Sequence, residues 1–191
     1  MNDVACMRLV MKEGGRRSWY YPLQKGVFLP TASGMSVREF LHDVLHFDDA
    51  YIESTVRTIF LNNSPVDDID RTRIADGDRL ALGSAMPGLV GIVMGRDNPF
   101  KSFRSDISAR DGATGSSGES IFVGVKLFSS LAAESGAAVL ERGVTMDALM
   151  LADFLADRTD QVIDADGMDG EALVAALRDG GGRIAIRVEF K

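Results

Sequence analysis

The chain has 191 residues, 46% of them hydrophobic and 26% charged, proportions that exclude collagen-like, disordered and disulfide-scaffold classes. Its 28 carboxylates and 21 bases leave a net charge of −7, which opposes non-specific binding to a phosphate backbone. One cysteine, Cys6, allows no internal disulfide, and with only two histidines soft metal ligands are few.

Met1-Asn2-Asp3-Val4 has no basic start with an apolar run behind it, so no secretory signal is expected. Val4 to Met11 reads as a strand with Met7, Leu9 and Met11 on one face, and Cys6 within it reads as core. Gly14-Gly15 interrupt the pattern before Trp19. A second strand is expected at Val27 to Thr31, with Pro30 marking an edge or an end. Ser36 and Glu39 have capping-box spacing and open a helix whose apolar side is Val37, Phe40, Leu41, Val44 and Leu45. Val56 to Leu61 is a strand turned by Asn62-Asn63, residues that tolerate a left-handed backbone. Ala75-Asp76-Gly77-Asp78 turns the chain into a further strand, Arg79 to Leu82.

Ala85 to Gly95 is an apolar run of 11 residues, well short of the roughly 20 that cross a bilayer. Ala109 to Ser120 is Gly/Ser-rich and has little to bury, which marks a connector. After it, Ile121 to Phe128 reads as a strand, paired across Glu134-Ser135-Gly136 with Ala138 to Glu141. Thr145 is placed to cap a helix from Met146 to about Arg158. Asp169 is placed to cap another, Gly170 to Arg178, which Gly180 to Gly182 stop. Alternation in Arg183 to Phe190 gives a closing strand with one buried face. The expected organisation is α+β: a domain over 1–95, a connector over 96–120 and a small α+β domain over 121–191.

The helix from Ser36 to Leu45, the segment VRTIFLNNSPVDD (Val56–Asp68) and RIADGDRLALGSAMPG (Arg73–Gly88) together resemble the β-grasp, ubiquitin-like fold. More narrowly, they resemble the small sulfur carriers of molybdopterin and thiamine biosynthesis. The resemblance covers residues 4–91. It implies an open sheet face for protein partners, and for a true carrier a slender tail ending in a free Gly-Gly carboxylate. Here Pro87-Gly88-Leu89-Val90-Gly91 has no adjacent glycines, and a hundred residues follow. GVTMDALMLADFL (Gly143–Leu155) echoes GMSVREFLHDVL (Gly34–Leu45), so the second half is also open to reading as a degenerate second β-grasp.

His42 and His46 stand four apart and would share a helix face, the spacing of a metal pair. They point away from the apolar side, and solvated surface histidines are the simpler reading. Asp164, Asp166, Asp169 and Glu171 fail an EF-hand loop, which needs an oxygen ligand where Met168 stands and glycine where Asp169 stands. They read as a polar turn and a helix cap. Gly180 to Gly182 lack the Lys-Ser/Thr of a phosphate loop. Ser84, Ser116 and Ser117 have no nucleophile-elbow context. Lys101, Arg104 and Arg110 with Phe100 and Phe103 form a small basic-aromatic stretch, but the net charge argues against nucleic acid.

The expected function is a non-catalytic protein-interaction or assembly module in the cytoplasm, with no cofactor and no membrane or nucleic-acid partner. Met86, Pro87, Gly88, Leu89, Val90 and Gly91 are its candidate contact residues, since the apolar run they belong to must bury against this chain, a second copy or another protein. One alternative is a sulfur-carrier precursor cleaved near Gly88 or Gly91. Another is a metal-dependent enzyme using His42 and His46.

Overall fold

A computed structural model describes residues 6–86, 88–96, 99, 109 and 118–191. The fold is mixed α+β, and its strands form both parallel and antiparallel ladders. Two compact units share the chain. One joins residues 1–28 to 132–191, and the other is 29–131. The expected Gly/Ser-rich connector falls mostly outside the described residues, as do Val4, Phe100, Lys101, Phe103, Arg104, Arg110, Ser116 and Ser117.

The 29–131 unit grows from local signals. It begins within β2 (Val27–Ala32). Ser36 then makes the complete capping box: its Oγ accepts from the Glu39 N–H at 3.1 Å, and Glu39 Oε2 accepts from the Ser36 N–H at 2.6 Å. The helix it opens, α2 (Val37–Glu39), widens into a π-turn over Phe40–Val44 and stops at His46, whose φ is 56°. Val37, Phe40, Leu41 and Leu45 are buried as the apolar side required, while Val44 is half-buried. A short helix the sequence did not announce, α3 (Asp49–Ser54), follows under an Asp48 cap.

Next come β3 (Thr58–Leu61), β4 (Ser64–Pro65) and β5 (Arg79–Gly83). Asn62 and Asn63 take φ values of 50° and 69°, the left-handed pair that a two-residue hairpin needs. The Asn62 amide donates to Asp78 Oδ1 at 2.7 Å, and its oxygen accepts from the Arg79 N–H at 3.0 Å. The Asp76-Gly77-Asp78 turn is thereby tied to the hairpin. β6 (Ser120–Leu127) runs parallel to β5 and places Val125 against Leu80 and Leu127 against Leu82. With Ile59 opposite Leu82 and Leu61 opposite Leu80, these residues make the buried face of the sheet.

In the unit joining 1–28 to 132–191, β1 (Met7–Met11) is sandwiched between β9 (Arg183–Phe190), parallel to it, and β8 (Val162–Ala165), antiparallel. The two compact units are drawn differently from the expected division at residue 95. Met7, Leu9 and Met11 are buried on one face of β1, Val10 is buried on the other beside the exposed Arg8, and both edges of the strand are paired. An interior strand of that kind takes whichever partners cover it, and here they come from the far end of the sequence.

Between β1 and β2 lie a 3₁₀ segment (Glu13–Trp19) and α1 (Tyr20–Lys25). Trp19 is fully buried, edge-on to Phe154 at 5.0 Å and Phe190 at 6.4 Å. The expected hairpin over 121–141 is also corrected, because Ser130–Arg142 is a helix, α5. Gly136, read as a turn residue, is where this helix lies so close to Leu23 that a Cβ would overlap its side chain. The helix expected from Met146 begins later. Val144–Asp147 is strand β7, and Asp147 itself caps α6 (Ala148–Ala156). Asp169 caps α7 (Gly170–Gly180) as expected, accepting from the Ala172 N–H, and Gly181 and Gly182 end it at positive φ.

Candidate interaction surface

After β5 the chain turns through Ser84 to Met86 into α4 (Gly88–Met94). Gly88 enters at a φ of 83°, in the left-handed region where glycine is at no disadvantage. Gly91 is buried, and a Cβ on it would overlap the Met86 carbonyl. Gly91 thus lies against the turn that leads into the helix. Its open side carries Leu89, 76% exposed, and Ile92, 52% exposed, one helical step apart and on one face. Met86 is also exposed. Pro87 and the Val90 side chain lie outside the described residues.

Past α4 the chain is fixed by Arg96, whose burial the sequence did not signal, since an arginine ending an apolar run defaults to the surface. Its side chain is 3% exposed. Nη2 donates to the Ile52 carbonyl at 2.7 Å and lies 3.4 Å from Glu53 Oε2, while Nε donates to the Val56 carbonyl at 3.2 Å. Its backbone N–H donates to the Arg57 carbonyl at 2.7 Å. Glu53 also meets Arg38 at 2.6 Å, and Arg38 in turn holds Asp70 at 2.6 Å. Hydrogen bonding to Arg38, with the charge of Arg96 behind it, holds the Glu53 carboxyl below its ordinary range.

The other sequence-derived candidates are placed apart from one another. His42 is exposed and bonds Asp43 at 2.8 Å, which raises its pKa, with Asp49 and Asp48 adding to the effect. His46 lies past the π-turn at positive φ, so the regular helix that would have aligned the two imidazoles is absent there. Among the described residues no group of three or more His, Cys, Asp or Glu is placed to hold a metal. The acidic residues serve the local structure. Asp164 accepts from the Gly167 N–H in a tight turn at Asp166-Gly167, Asp166 accepts from the Arg8 N–H, and Asp169 caps α7.

Cys6, expected in the core, is exposed because β1 begins only at Met7. Partial desolvation raises its thiol pKa against the opposing pull of Arg187. A shallow apolar cleft of about 200 Å³ lies among Met7, Met168, Leu173, Leu177 and Ile184, with Arg183 as its charged group. The Arg183 guanidinium is 3.7 Å from the centre of the Phe28 ring. Among the described residues no helix is long and apolar enough to cross a membrane. Comparison with protein-family models, curated proteins and solved structures found no match to this chain.

Proposed function

We propose that this chain is a non-catalytic protein-interaction or assembly module of the cytoplasm, built around a ubiquitin-like β-grasp, and that α4 carries its contact surface. The observation behind the reading is the exposure of Leu89 and Ile92 on one face of a helix in which Gly91 is buried. Large aliphatic side chains gain about 1.5–3 kcal/mol each on burial, so a face that leaves two of them in water has much to gain from a partner. The β-grasp assignment is supported by the mixed ladder β6-β5-β3-β4, in which β6 and β5 are parallel, and by the capped helix that comes after β2. In this reading β6 is the parallel neighbour of β5.

The sulfur-carrier alternative draws less support. The stretch that would form a slender tail is helical, Gly91 is packed against Met86, and Arg96 is buried a few residues later. Cleavage near Gly88 or Gly91 would also separate β5 from β6, its parallel neighbour.

The test compares full-length protein with the double variant Leu89→Asp, Ile92→Asp. Both positions are exposed, so the substitutions should leave thermal stability nearly unchanged. Wild type is expected to self-associate in light scattering, or to retain a partner from lysate of its own cell that the double substitution loses. A wild type that stays monomeric at high concentration, and captures only proteins that the doubly substituted chain captures as well, would end the proposal.

A further inference from the structure

Helix α4 is weak by its own chemistry. It has seven residues with glycine at positions 88 and 91, whereas isolated helices shorter than about 12–15 residues are marginal even when rich in alanine. Its outward side chains, Leu89 and Ile92, lie largely in water and add little to hold it. The chain changes character immediately downstream. Arg96 is almost wholly buried, and its guanidinium reaches the Ile52 and Val56 carbonyls, near the C-terminal end of α3. A helix C-terminus is the negative end of the helix dipole and leaves carbonyls without intrahelical donors, so a guanidinium there meets both charge and hydrogen-bond demand. Arg57 completes the junction: it accepts from the Arg96 N–H through its carbonyl at 2.7 Å and donates from Nη2 to the Arg96 carbonyl at 3.4 Å.

We propose that Arg96 is a positioning latch: by anchoring the chain to the end of α3 it keeps α4 folded and its Leu89/Ile92 face formed in the free protein. The latch gains a role in partner binding through the contact surface proposed above, but its action on α4 is a property of the chain alone. A neutral side chain at 96 leaves the Ile52 and Val56 carbonyls facing an apolar group and releases the downstream end of α4. A lysine keeps the charge but loses the planar fork that reaches two carbonyls at once.

Amide hydrogen exchange read by mass spectrometry on full-length wild type, Arg96→Met and Arg96→Lys tests this without any partner. The expected result is exchange at least tenfold faster over residues 89–95 in Arg96→Met, an intermediate rate in Arg96→Lys, and wild-type protection in β1 and β9. Three results would overturn the latch: unchanged exchange over 89–95 in Arg96→Met, a segment already unprotected in wild type, or protection lost equally in β1 and β9. The last would make Arg96 a general stability residue. Failure to find a partner for Leu89 and Ile92 would leave these exchange rates untouched, so the two proposals fail separately.

Discussion

Replacing Gly91 by alanine sets two effects of known size against each other. By helix propensity alone the change should stabilise α4 by about 1 kcal/mol. The structure opposes this, because the new Cβ would overlap the Met86 carbonyl oxygen and carbon. These are backbone atoms, which cannot rotate away as a flexible side chain would. Overpacking of this kind costs about 1–3 kcal/mol, and rigid backbone puts the case toward the upper end. The expected net is a loss of about 1–2 kcal/mol in the local folding of α4, roughly a 5- to 30-fold shift in its folded-to-unfolded ratio.

Gly180 is the control. It ends α7, and a Cβ there would have no atom within 4 Å, so Gly180→Ala should be neutral or gain up to about 1 kcal/mol. Hydrogen exchange over residues 88–95 reads the first substitution and a urea midpoint reads the second. Gly91→Ala with α4 protected as well as in wild type would refute the close approach of Met86, and with it the account of why glycine stands there.

The capping box is expected to contribute measurably: Ser36→Ala removes the acceptor for the Glu39 N–H and should lower stability by about 1 kcal/mol in urea titration. His42 should titrate above the ordinary histidine value, chiefly through its hydrogen bond to Asp43. Because that shift is upward, its small stabilising effect is complete below about pH 6.5 and is lost as pH rises through the folded-state pKa. An NMR titration of the imidazole in wild type and in Asp43→Asn should show a lower midpoint after the substitution, and identical curves would contradict the contact.

The features legible in the sequence are those whose cause lies within a few residues. Ser36 and Glu39 satisfy each other's backbone, Asn62 and Asn63 tolerate positive φ, and Asp169 caps the helix it precedes. Each needs no distant information. Gly136 misled because a glycine signals a turn or a close approach equally well, and only the position of Leu23 decides between them. The partners of β1 were out of reach for a related reason. Its two hydrogen-bonding edges require two neighbours, but apolar pattern says that a strand is buried without saying which strands flank it. In the apolar run after β5 the sequence singled out Leu89 but not Ile92, which helical spacing sets beside it, and it gave no sign of Arg96, because burial of a guanidinium depends on carbonyls some 40 residues earlier.

The pairing of β1 with β9 also constrains how the protein is made. Met7 lies opposite Ile186, 179 positions later. At about 5–20 residues per second, ribosomal synthesis takes roughly 10–40 s to bring the second strand into existence after the first. For that interval β1 has neither its parallel neighbour β9 nor, for most of it, β8. A nascent segment with Met7, Leu9 and Met11 bare on one face and open hydrogen-bonding edges invites wrong partners. The sheet of the 29–131 unit, by contrast, has all its strands once Leu127 is made. The 29–131 unit therefore has its strands first, and β1 is paired only once β8 and β9 are made.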